Sequence, residues 1–382
     1  MTAADGQLRV AFDGTPLLGV RTGVGEVVAG LAAELGTRPD LDVVAYGLTW
    51  RGRNQLDAAV PPGVRAATAR IPARLVRAGW MRADRPRIEH WTGTIDVVHA
   101  TNYVAPPSRA PIVLSVYDLT FVRFPDLCTD DVLQYPTLVR RALARGAIVH
   151  TTSDFVADEV REIFDLAPER VVRVYPGIVP SATGDAAAGH RIAGADHYVL
   201  AIGTIEPRKN LPVLVDAFDR VATTHPDLHL VVAGRVGWGD DAFRTACARA
   251  RHRSRIRALG YVSASARRDL LAGASLLAYP SRYEGFGFPP LEAMAVGVPV
   301  VAARAGAIPE VTGDAALLVD PDDPEGLAES LRRALDDPEL RRDLVTRGRA
   351  RVGCFSWPAM ANEMTALYRK LRHEVGHRGR VS

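Results

Sequence analysis

The amino-acid sequence predicts an α/β protein built from two doubly wound, Rossmann-like domains, each a parallel sheet covered by helices. Three observations lead there. Short apolar runs alternate with amphipathic stretches along the whole chain, the pattern of repeated βαβ units. A Pro/Gly/Ala-rich interval at 176–194 breaks that alternation once, near the middle. The length, 382 residues, suits two domains of ordinary size.

In the first half, strands are expected at 8–13, 41–47, 95–100, 111–116, 147–152 and 171–175. Runs such as LRVAFD and PIVLSV fit the strands of a parallel sheet covered by helices. Helices fit 24–36, 131–146 and 153–164, the last with Ser153 as N-cap. The interval 176–194 reads as a linker. Beyond it, strands fit 198–203, 228–234, 256–261, 275–280 and 298–303, with helices at 210–224, 240–252, 264–273, 290–296 and 324–336. A closing helix begins near Ser356 and carries Trp357 and Pro358 in its first turn. The expected domains are 1–177 and 192–356, with the helix 357–375 packing back on the first. Ligands of such sheets bind beyond the carboxyl ends of the strands, so a cleft between the domains is the expected site.

Composition narrows the function. A chain 47% hydrophobic and 24% charged has ample core, and a net charge of +3 is too small to imply nucleic acid. Cys128, Cys247 and Cys354 are odd in number, far apart and outside metal-ligand spacing, as expected in a reducing compartment. No apolar run approaches the roughly 20 residues of a membrane span, and the N-terminus lacks the regions of a signal peptide. The expectation is a cytoplasmic protein. Residues 65–90 hold seven arginines against Asp84 and Glu89, with Arg70, Arg74 and Arg77 at helical spacing. A helix lying on the inner face of an anionic membrane and a solvated basic face both fit this stretch.

Three segments carry candidate chemistry. In PSRYEGFGFPPLEAMAVGVPVV (280–301), Glu284 sits on a Gly-rich turn after a strand, and Glu292 is expected in the first turn of a helix opened by Pro290. Gly285 and Gly287 allow close approach of backbone to a ligand. Amides around Phe288 offer positive partial charge to a phosphate, and the two carboxylates can accept sugar and ribose hydroxyls. In AIGTIEPRKN (201–210), Arg208 and Lys209 stand just before a helix, a fork and a point charge suited to a pyrophosphate. In LLGVRTGVGEVVAGLA (17–32), Gly23 and Gly25 open an amphipathic helix without the third glycine of a dinucleotide fingerprint. That turn suits a helix N-terminus meeting a phosphate.

At these residues the chain resembles the retaining nucleotide-sugar glycosyltransferases of the GT-B fold, specifically family 4. The match runs through TGVGE, DVVHATN, SVYDLTFVRFP, TTSDFVADEV, GTIEPRKN, LGYVSASARRDLLAGA, EGFGFPPLEAMAVGVPVVAA and GDAALLVDPDD. The resemblance implies that Glu284 binds donor-sugar hydroxyls and Glu292 the ribose. It implies that Lys209 and Arg208 neutralise the leaving pyrophosphate, with backbone at Gly23 and Gly25 assisting. Backbone at Val262 would hold the base, and Thr204, Phe286, Gly287 and Phe288 would line the donor. Tyr117 and Asp118 would face the donor sugar or acceptor. The family is metal-independent, so no cofactor is expected. The partners implied are a GDP-sugar or UDP-sugar donor, leaning to GDP-mannose, and a glycan or lipid-linked acceptor.

The chain departs from the family's usual pattern at Thr204 and Glu26, where many members have arginine, and at Tyr117, where many have histidine. His99, ending a strand, fits either an acceptor-orienting group or a satisfied core histidine. Asp320 and Asp322 form a D-x-D, which in the context DPDDPEG reads as a turn and N-cap. Two other classes remain compatible with these motifs: an epimerase or hydrolase of sugar nucleotides on the same architecture, and a non-catalytic nucleotide-sugar-binding protein.

Overall fold

A computed structural model describes residues 6–19, 23–48, 53–69, 75–76, 79–80, 83–178, 184–237 and 239–381. The chain divides into two compact units, one of Met1–Gly177 with Ser356–Ser382 and the other of Ile178–Phe355. Each is built on an all-parallel sheet.

In the first unit the strands are β1 (Leu8–Asp13), β2 (Leu41–Leu48), β3 (Val64–Ala69), β4 (Val97–Ala100), β5 (Ile112–Val116), β6 (Ile148–Thr151) and β7 (Val171–Arg173). They lie in the order β3-β2-β1-β4-β5-β6-β7. The central strands β4 and β5 are buried along their whole length, as continuous apolar runs require. Ser153 caps the helix Asp154–Phe164, its hydroxyl accepting from the Val156 amide at 3.2 Å. The closing helix Trp357–Val381 belongs to this unit. Its Trp357 ring lies where side chains at Gly30 and Gly177 would be, since a Cβ on either would fall about 2.5 Å from the indole. Met364 and Tyr368 of the same helix are fully buried.

In the second unit the strands are β8 (His197–Ile202), β9 (Leu228–Ala233), β10 (Ile256–Gly260), β11 (Leu276–Tyr279), β12 (Val300–Ala303) and β13 (Leu317–Val319), in the order β10-β9-β8-β11-β12-β13. The helices Leu211–Val221 and Pro324–Asp336 cover one face, packing Leu214, Phe218, Leu327 and Leu331 against strand residues Leu230 and Val232. In each sheet the order reverses beside the unit's first strand, between β1 and β4 and between β8 and β11. Connections leave those two neighbours in opposite directions, which opens a crevice at their carboxyl ends.

The structure departs from the sequence reading in several places. Residues 65–69, taken into a basic helix, form edge strand β3; Arg65 pairs with Asp42 on β2 at 2.8 Å, a cross-strand contact. Arg70, Arg74 and Arg77 lie outside the described residues. The interval 176–194, read as a linker, carries the helix Ala186–Ala193, capped by Asp185 and ended by a left-handed Gly194. The three-residue β13 and the helix Pro338–Val352 were not anticipated.

Candidate active site

The switch point of the second sheet gathers the candidate residues. Because β8 and β11 are hydrogen-bonded neighbours, the loop after one (203–210) meets the loop after the other (280–287). The first loop leaves β8 at Gly203, whose φ of +148° lets the chain turn away, and closes as a single turn over Pro207–Lys209. Asn210 ends that turn in the left-handed region and is 1% exposed. Its side-chain amide donates to the Pro321 carbonyl at 2.6 Å, which ties down an otherwise unfavourable conformation.

Lys209 and Arg208 converge on Glu284. Lys209 Nζ is 2.5 Å from Glu284 Oε1 and donates to the Tyr279 hydroxyl at 3.1 Å. Arg208 is 2.9 Å from Glu284 Oε2, donates to the Tyr283 carbonyl at 2.7 Å, and pairs with Glu206 at 2.6 Å. Four charges thus share one largely buried cluster, two of each sign. Burial pushes the Glu284 carboxyl up, but Lys209 and Arg208 overcome it and hold the group at about 2. Burial, with Arg208, draws the Lys209 ammonium down, and Glu284 only partly restores it. The carboxylate is therefore firmly ionised, while the cations stand ready for an anion of higher charge.

Glu284 is fixed by backbone as well as by charge. Gly306, at φ +58°, lies so close that a Cβ there would sit 2.6 Å from the Glu284 carbonyl oxygen and 2.7 Å from its nitrogen. The neighbouring Ala307 amide donates to that carbonyl at 2.9 Å. Only glycine meets both demands. Tyr279, Glu206 and Gly306 escaped the sequence reading. The glycine after β12 and the glutamate two residues before Arg208 were the available signals.

The other candidates fall as follows. Gly287 caps the helix Phe288–Val296 at φ +101°, and a Cβ there would strike Ile308 at 2.6 Å. Phe286 is buried edge-on to Phe355 and 5.0 Å from Phe288. The helix begins at Phe288, so Glu292 lies in its second turn, not its first. Glu292 pairs closely with Arg267 of the helix Ala264–Gly273. Thr204 and Val262 are half-buried at the carboxyl ends of β8 and β10. Asp320 accepts from the Asp322 amide at 2.8 Å, and Asp322 pairs with Arg282. That is a turn, and no cluster of three His, Cys, Asp or Glu able to hold a metal occurs among the described residues.

In the first unit Gly23 and Gly25 open the helix Gly23–Gly36. Tyr117 is 8% exposed, and Asp118 accepts from the Thr120 amide, closing a local turn. His99 is core rather than rim, at 1% exposure with both ring nitrogens engaged. It belongs to a chain of buried hydrogen bonds whose direction is determined. His150 Nε2 faces the Val174 carbonyl at 3.2 Å and must donate. Its Nδ1 then accepts from the Ser115 hydroxyl (2.8 Å), which accepts from His99 Nε2 (2.8 Å). His99 Nδ1 in turn accepts from the Tyr368 hydroxyl at 2.6 Å. Burial pulls His150 down to about 4 and His99 well below its ordinary range, so both stay neutral.

Among the described residues no helix is long and apolar enough to cross a membrane. Comparison with known proteins gives two family matches, "Glycosyltransferase Family 4" over residues 21–182 and "Glycosyl transferases group 1" over 185–351. The chain is 31% identical over 284 residues to the O-antigen chain mannosyltransferase B of Escherichia coli, covering 72% of this chain and 74% of that protein. Over 105 residues, 26% of each chain, it is 49% identical to the MMP alpha-(1->4)-mannosyltransferase of Mycolicibacterium hassiacum. Among solved structures, sucrose-phosphate synthase of Thermosynechococcus elongatus matches with a TM-score of 0.74 at 20% identity, over 96% of this chain and 99% of that one. HepE of Anabaena, in complex with UDP and glucose, matches with a TM-score of 0.70 at 18% identity, over 95% and 100%. These structural likenesses bear on the fold, and the sequence match to the E. coli protein bears on the family. Together they make the chain a glycosyltransferase of the GT-B fold, belonging to glycosyltransferase family 4.

Proposed function

We propose that the protein transfers a hexose from a nucleoside-diphosphate sugar to a glycan or lipid-linked acceptor with retention of anomeric configuration, and that the donor is GDP-mannose. The observation that carries this reading is the cluster of Lys209, Arg208 and Glu284 at the β8/β11 switch point. When the donor's pyrophosphate arrives, the two cations exchange part of their hold on Glu284 for phosphate oxygens. Charge developing on the leaving group is then met by groups already in place, commonly the largest catalytic contribution. Glu284, relieved of part of that load, accepts hydroxyls of the transferred sugar. With both its oxygens held by Lys209 and Arg208, Glu284 is assigned no covalent glycosyl-enzyme, in keeping with a retaining reaction driven by leaving-group departure. Glu292, braced by Arg267, accepts the ribose hydroxyls, and backbone at Val262 takes the base.

Mannose as the sugar rests on the two mannosyltransferases among the relatives. The rival is a UDP-sugar, favoured by the UDP and glucose held by HepE. A thermal-shift series with GDP, UDP, ADP and their sugars separates them. A ligand at a hundred times its Kd stabilises the protein that binds it by about 2.7 kcal/mol. GDP and GDP-mannose should raise the midpoint and UDP should not. A shift with UDP-sugars alone would overturn the donor assignment. NMR of the product anomer then tests retention.

A further inference from the structure

A groove of about 1180 Å³ opens on the first unit, away from the carboxyl ends of its strands. It is lined by residues 93–96, which lead into β4, and 109–111, which lead into β5, so it sits at the amino edge of that sheet. Ligands of doubly wound sheets bind at the opposite edge, and none of the donor-binding roles above draws on this one. Its apolar wall includes Pro86, Ile95, Ala110 and Pro111. Its charged lining comes from separate parts of the chain, with Arg85 and Arg87 before the turn at 89–92, Arg109 before β5, and Arg372 on the closing helix.

The groove also holds two carboxylates, each engaged through one oxygen, and the second oxygen of Glu89 is buried without a partner among the described residues. Glu89 Oε1 accepts from the Ser108 hydroxyl at 2.7 Å and the Arg109 amide at 2.6 Å. Asp96 Oδ2 accepts from the Arg9 amide at 2.8 Å and stands 4.0 Å from Arg372. The guanidinium groups of Arg85, Arg87 and Arg109 form no ion pair among the described residues. Guanidinium groups brought to one groove by residues 85–87 and 109, beside an apolar wall and without ion-pair partners of their own, are matched to a doubly charged oxyanion with hydrocarbon attached.

We propose that this groove binds a phosphate-bearing ligand, its oxyanion held by Arg85, Arg87 and Arg109 and its carbon chain lying along Pro86, Ile95 and Pro111. Such a phosphate can come from the headgroup of an anionic lipid at a membrane surface or from a small soluble phosphate ester.

The test uses the full-length protein and the triple variant Arg85→Gln, Arg87→Gln, Arg109→Gln. Flotation is measured with phosphatidylcholine vesicles with and without phosphatidylglycerol, at low and physiological salt, and calorimetry with glycerol phosphate and inorganic phosphate. Each arginine near an anionic surface contributes about fivefold to partitioning, so the triple variant should lose about a hundredfold. Binding to the phosphatidylglycerol vesicles alone, lost in the variant, identifies a lipid headgroup. Saturable binding of glycerol phosphate, lost in the variant, identifies a soluble ester. The proposal is overturned if neither probe binds the wild type, or if the triple variant binds as the wild type does. It is equally overturned if binding is lost only on replacing Arg70, Arg74 and Arg77. The three side chains have no ion pair to lose, so the variant should keep the wild-type thermal midpoint. Should it unfold, Arg109→Gln alone is read in the same assays for about a fivefold loss, and no loss there overturns the proposal.

Discussion

Replacing Glu284 by glutamine removes one charge from the donor cluster and keeps its shape. The carboxyl is held at about 2 against an ordinary 4.5. At 1.36 kcal/mol per unit, that is about 3 kcal/mol in favour of the charged form after the cost of burial. Unliganded Glu284→Gln should therefore lose about 3 kcal/mol, and the second unit's thermal midpoint should fall by roughly 6–12 °C. The effect on nucleotide has the opposite sign. Glu284 stands between the two cations that the pyrophosphate is proposed to use, so it repels the ligand it helps to position. Two unit charges about 5 Å apart at an effective dielectric constant of about 20 interact by roughly 3 kcal/mol. The variant should bind free nucleoside diphosphate several-fold to about a hundredfold more tightly, while kcat/KM for transfer falls because the sugar loses its acceptor. Calorimetry with GDP and UDP, differential scanning calorimetry and transfer kinetics read the three quantities. An unchanged midpoint together with weakened nucleotide binding would refute the charge balance proposed for this site. The linkage also fixes a pH window. The depressed carboxyl stabilises above pH 4.5, and that contribution is lost as pH falls from 4.5 towards 2.

Three further outcomes are expected. Glu292→Ala removes a charged acceptor from the ribose and should weaken free nucleotide and intact donor alike by about 10- to 150-fold in calorimetry; a loss confined to the donor would reassign the residue. Transfer should persist in excess EDTA, because Lys209 and Arg208 supply the positive charge, and abolition with rescue by manganese or magnesium would sink that account. The first unit should be acid-sensitive at higher pH than the second. His150, neutral in the fold down to about pH 4 but protonated below about 6.5 when unfolded, takes away about 3 kcal/mol as pH falls through that window, and His99 adds to it; hydrogen exchange of β4–β6 against pH checks this, and His150→Asn should flatten the dependence.

The fold was legible because nearly every central strand is an apolar run buried on both faces, which leaves a period-free signature bounded by turn residues. β3 was not, because an edge strand keeps one side wet: VRAATA carries an arginine that reads as helical until its partner Asp42 on β2 is known. The helix at 186–193 hid for a related reason, its alanines and glycine offering no stripe of large apolar residues. Sequence alone singles out as candidates the residues with unusual chemistry in unusual contexts, namely Arg208, Lys209, Glu284 and Glu292. It did not bring out their mutual geometry, because β8 and β11 are adjacent in the sheet but about 75 residues apart in the chain. That distance hid the main energetic fact about the cluster, that Glu284 neutralises the two cations before any ligand arrives. His99 shows the converse. A histidine ending a strand next to the switch point looks available for chemistry, yet Tyr368, 269 residues further on, supplies the hydroxyl that occupies its Nδ1. Once the direction of that chain of hydrogen bonds is fixed by the Val174 carbonyl, His99 has no proton-accepting nitrogen left for a substrate, and its contribution is to dock the closing helix.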